Sequence, residues 1–190
     1  MCRWFDSGPS HYVLLLPFPH SPLTLLQNIN LTMSARNKEF LRRAIQLSEE
    51  KMMENNGGPF GAVIVKNNKI IAEGFNKVTS FNDPTAHAEI VAIRNACKTL
   101  GDFHLQGAEI YCNCEPCPMC LAAIYWARIE KIYYANTRED AREIGFDDKS
   151  FYEELTKNSN QRKIPAVQIL AEEGKAAFKA WAAKADKTLY

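Results

Sequence analysis

The stretch "YCNCEPCPMC", Tyr111 to Cys120, holds four of the chain's six cysteines within nine positions. Four thiols this close suit a structural zinc clamp, an iron–sulfur ligand set, part of a catalytic site, or plain buried side chains. The pattern around them divides the stretch after Glu115. "AEIYCNC", residues 108–114, reads as a short strand, and "CPMCLAAIYWARI", residues 117–129, as a short helix. Cys117 and Cys120 stand three apart and share one face of that helix's first turn. Cys112 and Cys114 alternate along the strand and point to one side of the sheet. The full spacing, C-x-C-x-x-C-x-x-C, is neither the bacterial ferredoxin run nor the separated pairs of a zinc ribbon. Cys112 and Cys114 therefore read as small, mostly buried side chains, and Cys97 and Cys2 have no assigned chemistry.

Working outward, apolar residues between Asn37 and Met53 follow helical spacing, and "NNGGP" at 55–59 stops that helix. "FGAVIVKNNKIIAEGFN" reads as two strands across an Asn67–Asn68 turn, an antiparallel hairpin at a sheet edge. "SFNDPTAHAEIVAIRNACKTLG" opens with turn residues and continues as a helix that Gly101 ends. "KIYYAN" is a strand and "REDAREIGF" a helix. After a polar stretch, 149–163, "AVQIL" reads as a last strand and "EEGKAAFKAWAAKADKTLY" as a last helix. Helices interleaved with strands predict a three-layer α/β/α domain on a mixed, roughly five-stranded sheet, with residues 33–190 forming one domain.

The 190 residues are 46% hydrophobic, enough for one domain with a sizeable core. With 23 basic and 22 acidic residues the net charge is +1, so no overall field draws in nucleic acid or an anionic membrane. Cysteines clustered at a metal motif indicate a reducing, cytoplasmic setting. No run approaches the roughly 18 apolar residues that would span a bilayer. Residues 1–32 differ from the rest. Arg3 followed by the aliphatic run Val13–Leu16 resembles a signal peptide, but Pro17, Pro19 and Pro22 interrupt it and no small-residue cleavage site follows. Those prolines also break any long amphipathic helix. The expectation is a poorly ordered extension, or a start codon called too early, with Met33 opening the domain.

"HAE" at 87–89 opens one predicted helix, as "PCPMC" at 116–120 opens another. His87 can join Cys117 and Cys120 as a third ligand, and three protein ligands leave a fourth position for water, the mark of a catalytic zinc. Both helix N-termini point at such a metal and favour thiolate and hydroxide. Glu89, about 200° around the helix from His87, cannot share its lateral face. Both side chains can still reach a site off the helix's N-terminal end, one as ligand and the other as general base.

"HAE" followed at this distance by "PCPMC" resembles the zinc-dependent nucleobase deaminases of the cytidine deaminase-like superfamily. The likeness spans most of 36–190. It implies one Zn2+ per subunit on His87, Cys117 and Cys120, a catalytic water as fourth ligand, Glu89 as proton shuttle, and loss of ammonia from an amidine-type carbon. "GGPFGAVIVK", "NDPTAHAE", "EPCPMCLAAIYWAR", "IGFDD" and the terminal Tyr look most like bacterial-type guanine deaminases. That resemblance implies hydrolysis of guanine to xanthine, with Asn76 reading the purine edge and Asp148 accepting from its N–H groups. It further implies Phe60 on the ring face and Tyr190 closing the pocket. It also implies a homodimer in which the C-terminal segment crosses to the partner.

Taken singly, Asn76 could stabilise a turn, Asp148 cap a helix, Phe60 sit in the core and Tyr190 fray. His104 reads as an exposed loop residue, and Glu115 as a loop carboxylate accepting backbone hydrogen bonds. A tRNA adenosine deaminase carries the same motif but needs a basic surface, for which "KAAFKAWAAKADK" offers four lysines. Cytosine-type deaminases and a zinc-stabilised module without catalysis are further alternatives. The first two are separated by substrate, and the last would not need Glu89.

Overall fold

A computed structural model describes the backbone of residues 22–189 and the side chains of residues 35–189. Tyr190, and the expected extension as far as residue 21, lie outside the described residues. The chain divides into two units, Met1–Arg36 and Asn37–Tyr190. Within the first, residues 22–36 are helical. Helix α1 runs Pro22–Met53, so it starts well before the predicted Asn37. Pro22 does not break it, because a proline at the first helical position lacks only an N–H that has no helical acceptor.

The second unit carries β1 (Gly61–Lys66), β2 (Lys69–Phe75), α2 (Val78–Phe81), α3 (Ala88–Leu100) and β3 (Ala108–Cys114). It continues with α4 (Pro118–Trp126), β4 (Lys131–Asn136), α5 (Arg138–Glu143), α6 (Lys149–Leu155) and α7 (Ala171–Ala183). β1 and β2 form the predicted hairpin: Asn67 and Asn68 both adopt positive φ, 51° and 60°, which an Asn-Asn turn tolerates. The sheet order is β2-β1-β3-β4, with β1 antiparallel to both neighbours and β3 parallel to β4. The mixed sheet is as expected, with four strands rather than five among the described residues.

β1 is buried on both faces, which is why it reads as an unbroken apolar run. Ala62 and Ile64 pack with α3 and α4 residues on one side. Val63 and Val65 pack with Ala44 and Tyr111 on the other, beneath Phe40 and Leu41 of α1. These two clusters make the three layers. Arg43 clasps Glu73 through two hydrogen bonds of 2.7 Å, tying α1 to β2 and holding the Glu73 carboxyl below its ordinary range.

Two expectations are corrected. "AVQIL" at 166–170 is not a strand: Val167, Ile169 and Leu170 are exposed, and no strand of the described residues pairs with them. A strand is stable only when an edge accepts it, whatever its composition. The polar stretch after Asp148 contains α6, which lacks a buried face and so shows no periodic apolar signal.

α3 is seated on the sheet by small residues. Ala88, Ala92 and Ala96 are buried, and Ala88 and Ala92 lie against Gly74 of β2. A β-carbon on Gly74 would collide with the Ala88 carbonyl oxygen and the Ala92 backbone. Gly74→Ala should therefore lower unfolding free energy by about 1–3 kcal/mol. The urea midpoint measures this, and an unchanged midpoint would show that α3 has room to shift.

Candidate active site and metal centre

Both ligand-bearing helices begin in the same way. His87 is the N-cap of α3 (φ −66°, ψ 158°) and Cys117 the N-cap of α4 (φ −64°, ψ 168°). Neither side chain caps its own helix. An extended residue at the N-cap projects its side chain beyond the helix end, so the two side chains meet between the helices. Pro118 occupies the first position of α4, where its missing N–H is harmless. Cys120, one turn in and fully buried, reaches the same point.

His87 Nδ1 lies 3.5 Å from Cys117 Sγ and 3.5 Å from Cys120 Sγ. All three donor atoms lie within 4.8 Å of one another. Zn–S bonds of about 2.3 Å and Zn–N bonds of about 2.05 Å at tetrahedral angles place nitrogen and sulfur donors about 3.5 Å apart. The donor set fits zinc in both chemistry and spacing. The Cys117 thiol is pulled down to about 4, first by its hydrogen bond with Cys120 and then by His87. Cys120 is pushed up by the Cys117 it serves, and His87 is raised chiefly by Cys117.

Cys112 and Cys114 are buried and stand apart from this trio, as expected. Burial raises both thiols, Cys114 to about 11. Cys114 donates weakly to the Thr137 carbonyl at 3.7 Å.

Glu89, 8% exposed, stands two residues into α3 beside the trio, and burial pushes its carboxyl up. A cavity of about 480 Å³ opens over His87, Glu89 and Cys117, and Phe60, Asn76 and Asp148 also line it. The fold thus gathers every described residue singled out for substrate contact; Tyr190 lies outside the described residues. Asn76 is buried, and its Oδ1 accepts from the backbone N–H groups of Gly58 (3.3 Å) and Val78 (3.2 Å). It therefore does stabilise a turn through its side-chain oxygen. Asp148 sits at the N-cap of α6 but makes no side-chain cap, and burial followed by the charge of Cys117 raises its carboxyl. Phe60 packs partly on the core and meets the edge of Phe146 with centroids 4.8 Å apart.

Glu115 accepts from the Arg138 backbone N–H at 3.3 Å, the loop role expected of it. His104 is half-buried rather than exposed, lying against Phe103 with its Nε2 enclosed. Among the cavity residues that were not singled out from the sequence are Asn113, Arg138 and Phe146. Only Asn113 carried a signal, as a polar residue inside a strand otherwise buried along its length.

A three-layer α/β fold with a His-Cys-Cys trio and an adjacent buried carboxylate defines a zinc-dependent deaminase. The family model "cytidine and deoxycytidylate deaminase zinc-binding region" matches residues 34–136, and the chain belongs to that family. It is 51% identical over 154 residues to the guanine deaminase of Bacillus subtilis, covering 81% of this chain and 99% of that protein. The X-ray structure of guanine deaminase from Bacillus subtilis superposes with a TM-score of 0.79 at 52% identity, covering 80% of this chain and 98% of that one. A tRNA-specific adenosine deaminase of Agrobacterium fabrum is also 51% identical, but over 76 residues, which cover 40% of this chain and 50% of that protein.

The division of the cysteines is directly testable by metal analysis of purified protein. Cys117→Ser and Cys120→Ser should each lose most of the bound zinc, while Cys112→Ser and Cys114→Ser should keep about one equivalent. Zinc loss in either of the latter would return the four-thiol cluster to contention.

Proposed function

We propose that this chain hydrolyses guanine to xanthine and ammonia. The observation that carries the proposal is the convergence of Asn76, Phe60, Asp148 and Glu89 on one cavity with the zinc trio. The extended similarity to a guanine deaminase supports the choice of base. Zinc, when held by His87, Cys117 and Cys120, supplies Lewis-acid activation of a water. Glu89 takes a proton from that water as its oxygen joins the ring carbon bearing the exocyclic amine. The same carboxyl then gives the proton to the amine nitrogen, the C–N bond breaks, and ammonia leaves. A carboxyl raised by burial suits both halves of this exchange, since it holds a proton more firmly than a solvated one.

Orientation comes from the walls. The Asn76 amide donates to an acceptor on the purine edge, Asp148 accepts from ring N–H groups, and Phe60 lies against the ring. Glu115, Asp147 and Asp148 along the cavity favour a neutral free base over a polyanionic RNA. The five described cysteines are all free, which suits a reducing cytoplasm, and among the described residues no helix is long and apolar enough to cross a membrane. Residues 33–190 serve as one catalytic domain.

The active assembly is a homodimer exchanging its C-terminal segments. α7 buries none of its residues, and Ile164, Val167, Ile169, Leu170 and Phe178 are all exposed. Apolar exposure on this scale marks an interface. β4 ends the sheet, and the strand-like 166–170 segment has the composition to pair with such an edge in a partner. Tyr190 then closes the pocket across the dimer.

Ammonia release should be measured against guanine, adenine, cytosine, cytidine and a tRNA anticodon stem. Guanine alone should respond; a response to the stem alone would favour RNA editing. Glu89→Gln should keep its zinc and lose about 10²–10⁴-fold in turnover. Undiminished activity in that variant would remove Glu89 from the mechanism.

Deleting Leu189 and Tyr190 tests the closing role. The truncated enzyme should retain zinc and lose turnover, and unchanged kinetics would eliminate the role of Tyr190.

A further inference from the structure

Asn113 is the penultimate residue of β3 and is 7% exposed, an uncharged polar side chain in a strand buried nearly throughout. The antiparallel ladder between β1 and β3 ends at the pair Ala62–Cys112. Beyond that pair the Gly61 N–H turns to the Asn113 side chain instead of the β3 backbone. The Asn113 side chain thus continues the ladder. Its Oδ1 accepts from the Gly61 N–H at 2.9 Å, and its Nδ2 donates to the Pro59 carbonyl at 2.8 Å. One donor and one acceptor on the same segment fix which end of the amide is oxygen. A side-chain amide has the shape and polarity of a peptide group, and here it stands in for the next rung.

The same segment is held from its other flank. The Gly58 N–H donates to Asn76 Oδ1, and the Asn76 N–H donates to the Phe60 carbonyl at 3.0 Å. Gly61 is pressed against α1, where a β-carbon would strike the Ala44 carbonyl oxygen. Residues 58–61 are therefore clamped between two buried asparagines, with the Phe60 ring facing the cavity and braced by Phe146.

We propose that Asn113 is a positioning residue for the base. By fixing the Pro59 carbonyl and the Gly61 N–H it sets the plane of the Phe60 ring, and so how tightly the cavity holds a purine. The proposal rests on the purine-base reading of the cavity. It assigns Asn113 no proton transfer and no metal contact.

The test is a double-mutant cycle on the full-length, zinc-loaded enzyme: wild type, Asn113→Ala, Phe60→Ala and the double variant. Guanine kinetics, zinc content, melting temperature and calorimetric affinity for the product xanthine are read for each. A purely structural loss would lower melting temperature and the active fraction, and so kcat, while leaving KM unaltered. Misplacement of Phe60 weakens binding of ground and transition states alike. Asn113→Ala should therefore raise KM and weaken xanthine binding about tenfold to a hundredfold, with kcat and zinc nearly unchanged. The double variant should be no worse than Phe60→Ala, because the two residues act as one unit.

Multiplying effects, or a lowered melting temperature with unaltered KM and xanthine affinity, would overturn the proposal. Should Asn113→Ala fail to fold, Asn113→Asp keeps the shape and the acceptor for Gly61 while losing the donor to Pro59, and the same readouts apply. Absence of guanine turnover in the wild type would bring down the substrate assignment. The cycle would then be read on the base that the ammonia panel identifies.

Discussion

The molecule depends on bringing two helix N-termini close enough for one imidazole nitrogen to stand 3.5 Å from two thiol sulfurs. Each ligand lies within the first turn of its helix or at its cap, so a small rotation of either helix would move a donor out of tetrahedral range. The sheet fixes both. α4 follows β3 after only Glu115, Pro116 and the Cys117 cap, and α3 rests so closely on β2 that Gly74 cannot carry a side chain. Helix N-termini also bear partial positive charge, which favours a thiolate at the Cys117 cap. For Glu89 the two influences oppose each other. A helix terminus contributes about 0.3–1 kcal/mol towards ionisation, whereas full burial moves a carboxyl by up to several pH units, and burial prevails.

Around that centre the cavity wall is made from neutral amides and aromatic faces, with carboxylates at its rim. Amides hold a position without desolvating a charge, so two of them can be buried where two ions could not. Asn76 and Asn113 use this property in different ways. Asn76 spends its oxygen on the backbone, whereas Asn113 spends both ends on the backbone of 59–61. The wall that faces the base is thus held by hydrogen bonds reaching inward from the sheet.

Local elements were easy to read wherever a periodic apolar signal met clear punctuation. β3 and β4 have the bounds their sequences indicate, His87 and Cys117 fall at helix caps, and Gly101 ends α3 with φ 65°. Where the signal came from elsewhere in the molecule, local pattern misled. α6 has no buried face to impose a period. Residues 166–170 have the composition of a strand but pair with no strand among the described residues. The prolines ahead of α1 looked disruptive, yet Pro22 serves as a first helical residue.

The amino-acid sequence by itself determined the candidate zinc donors, the carboxylate beside them and the α/β frame, because metal chemistry requires particular residue types at particular helix positions. It also separated the four clustered thiols into two that end a strand and two that begin a helix. Tertiary structure alone decided what the cavity is: that Phe60, Asn76 and Asp148, far apart along the chain, share one space with Glu89. It alone disclosed Asn113, whose hydrogen bonds join residues 52 and 54 positions apart. Chemistry that depends on residue type and short spacing is written in the chain, whereas a partner brought from a distant strand exists only once the sheet has formed.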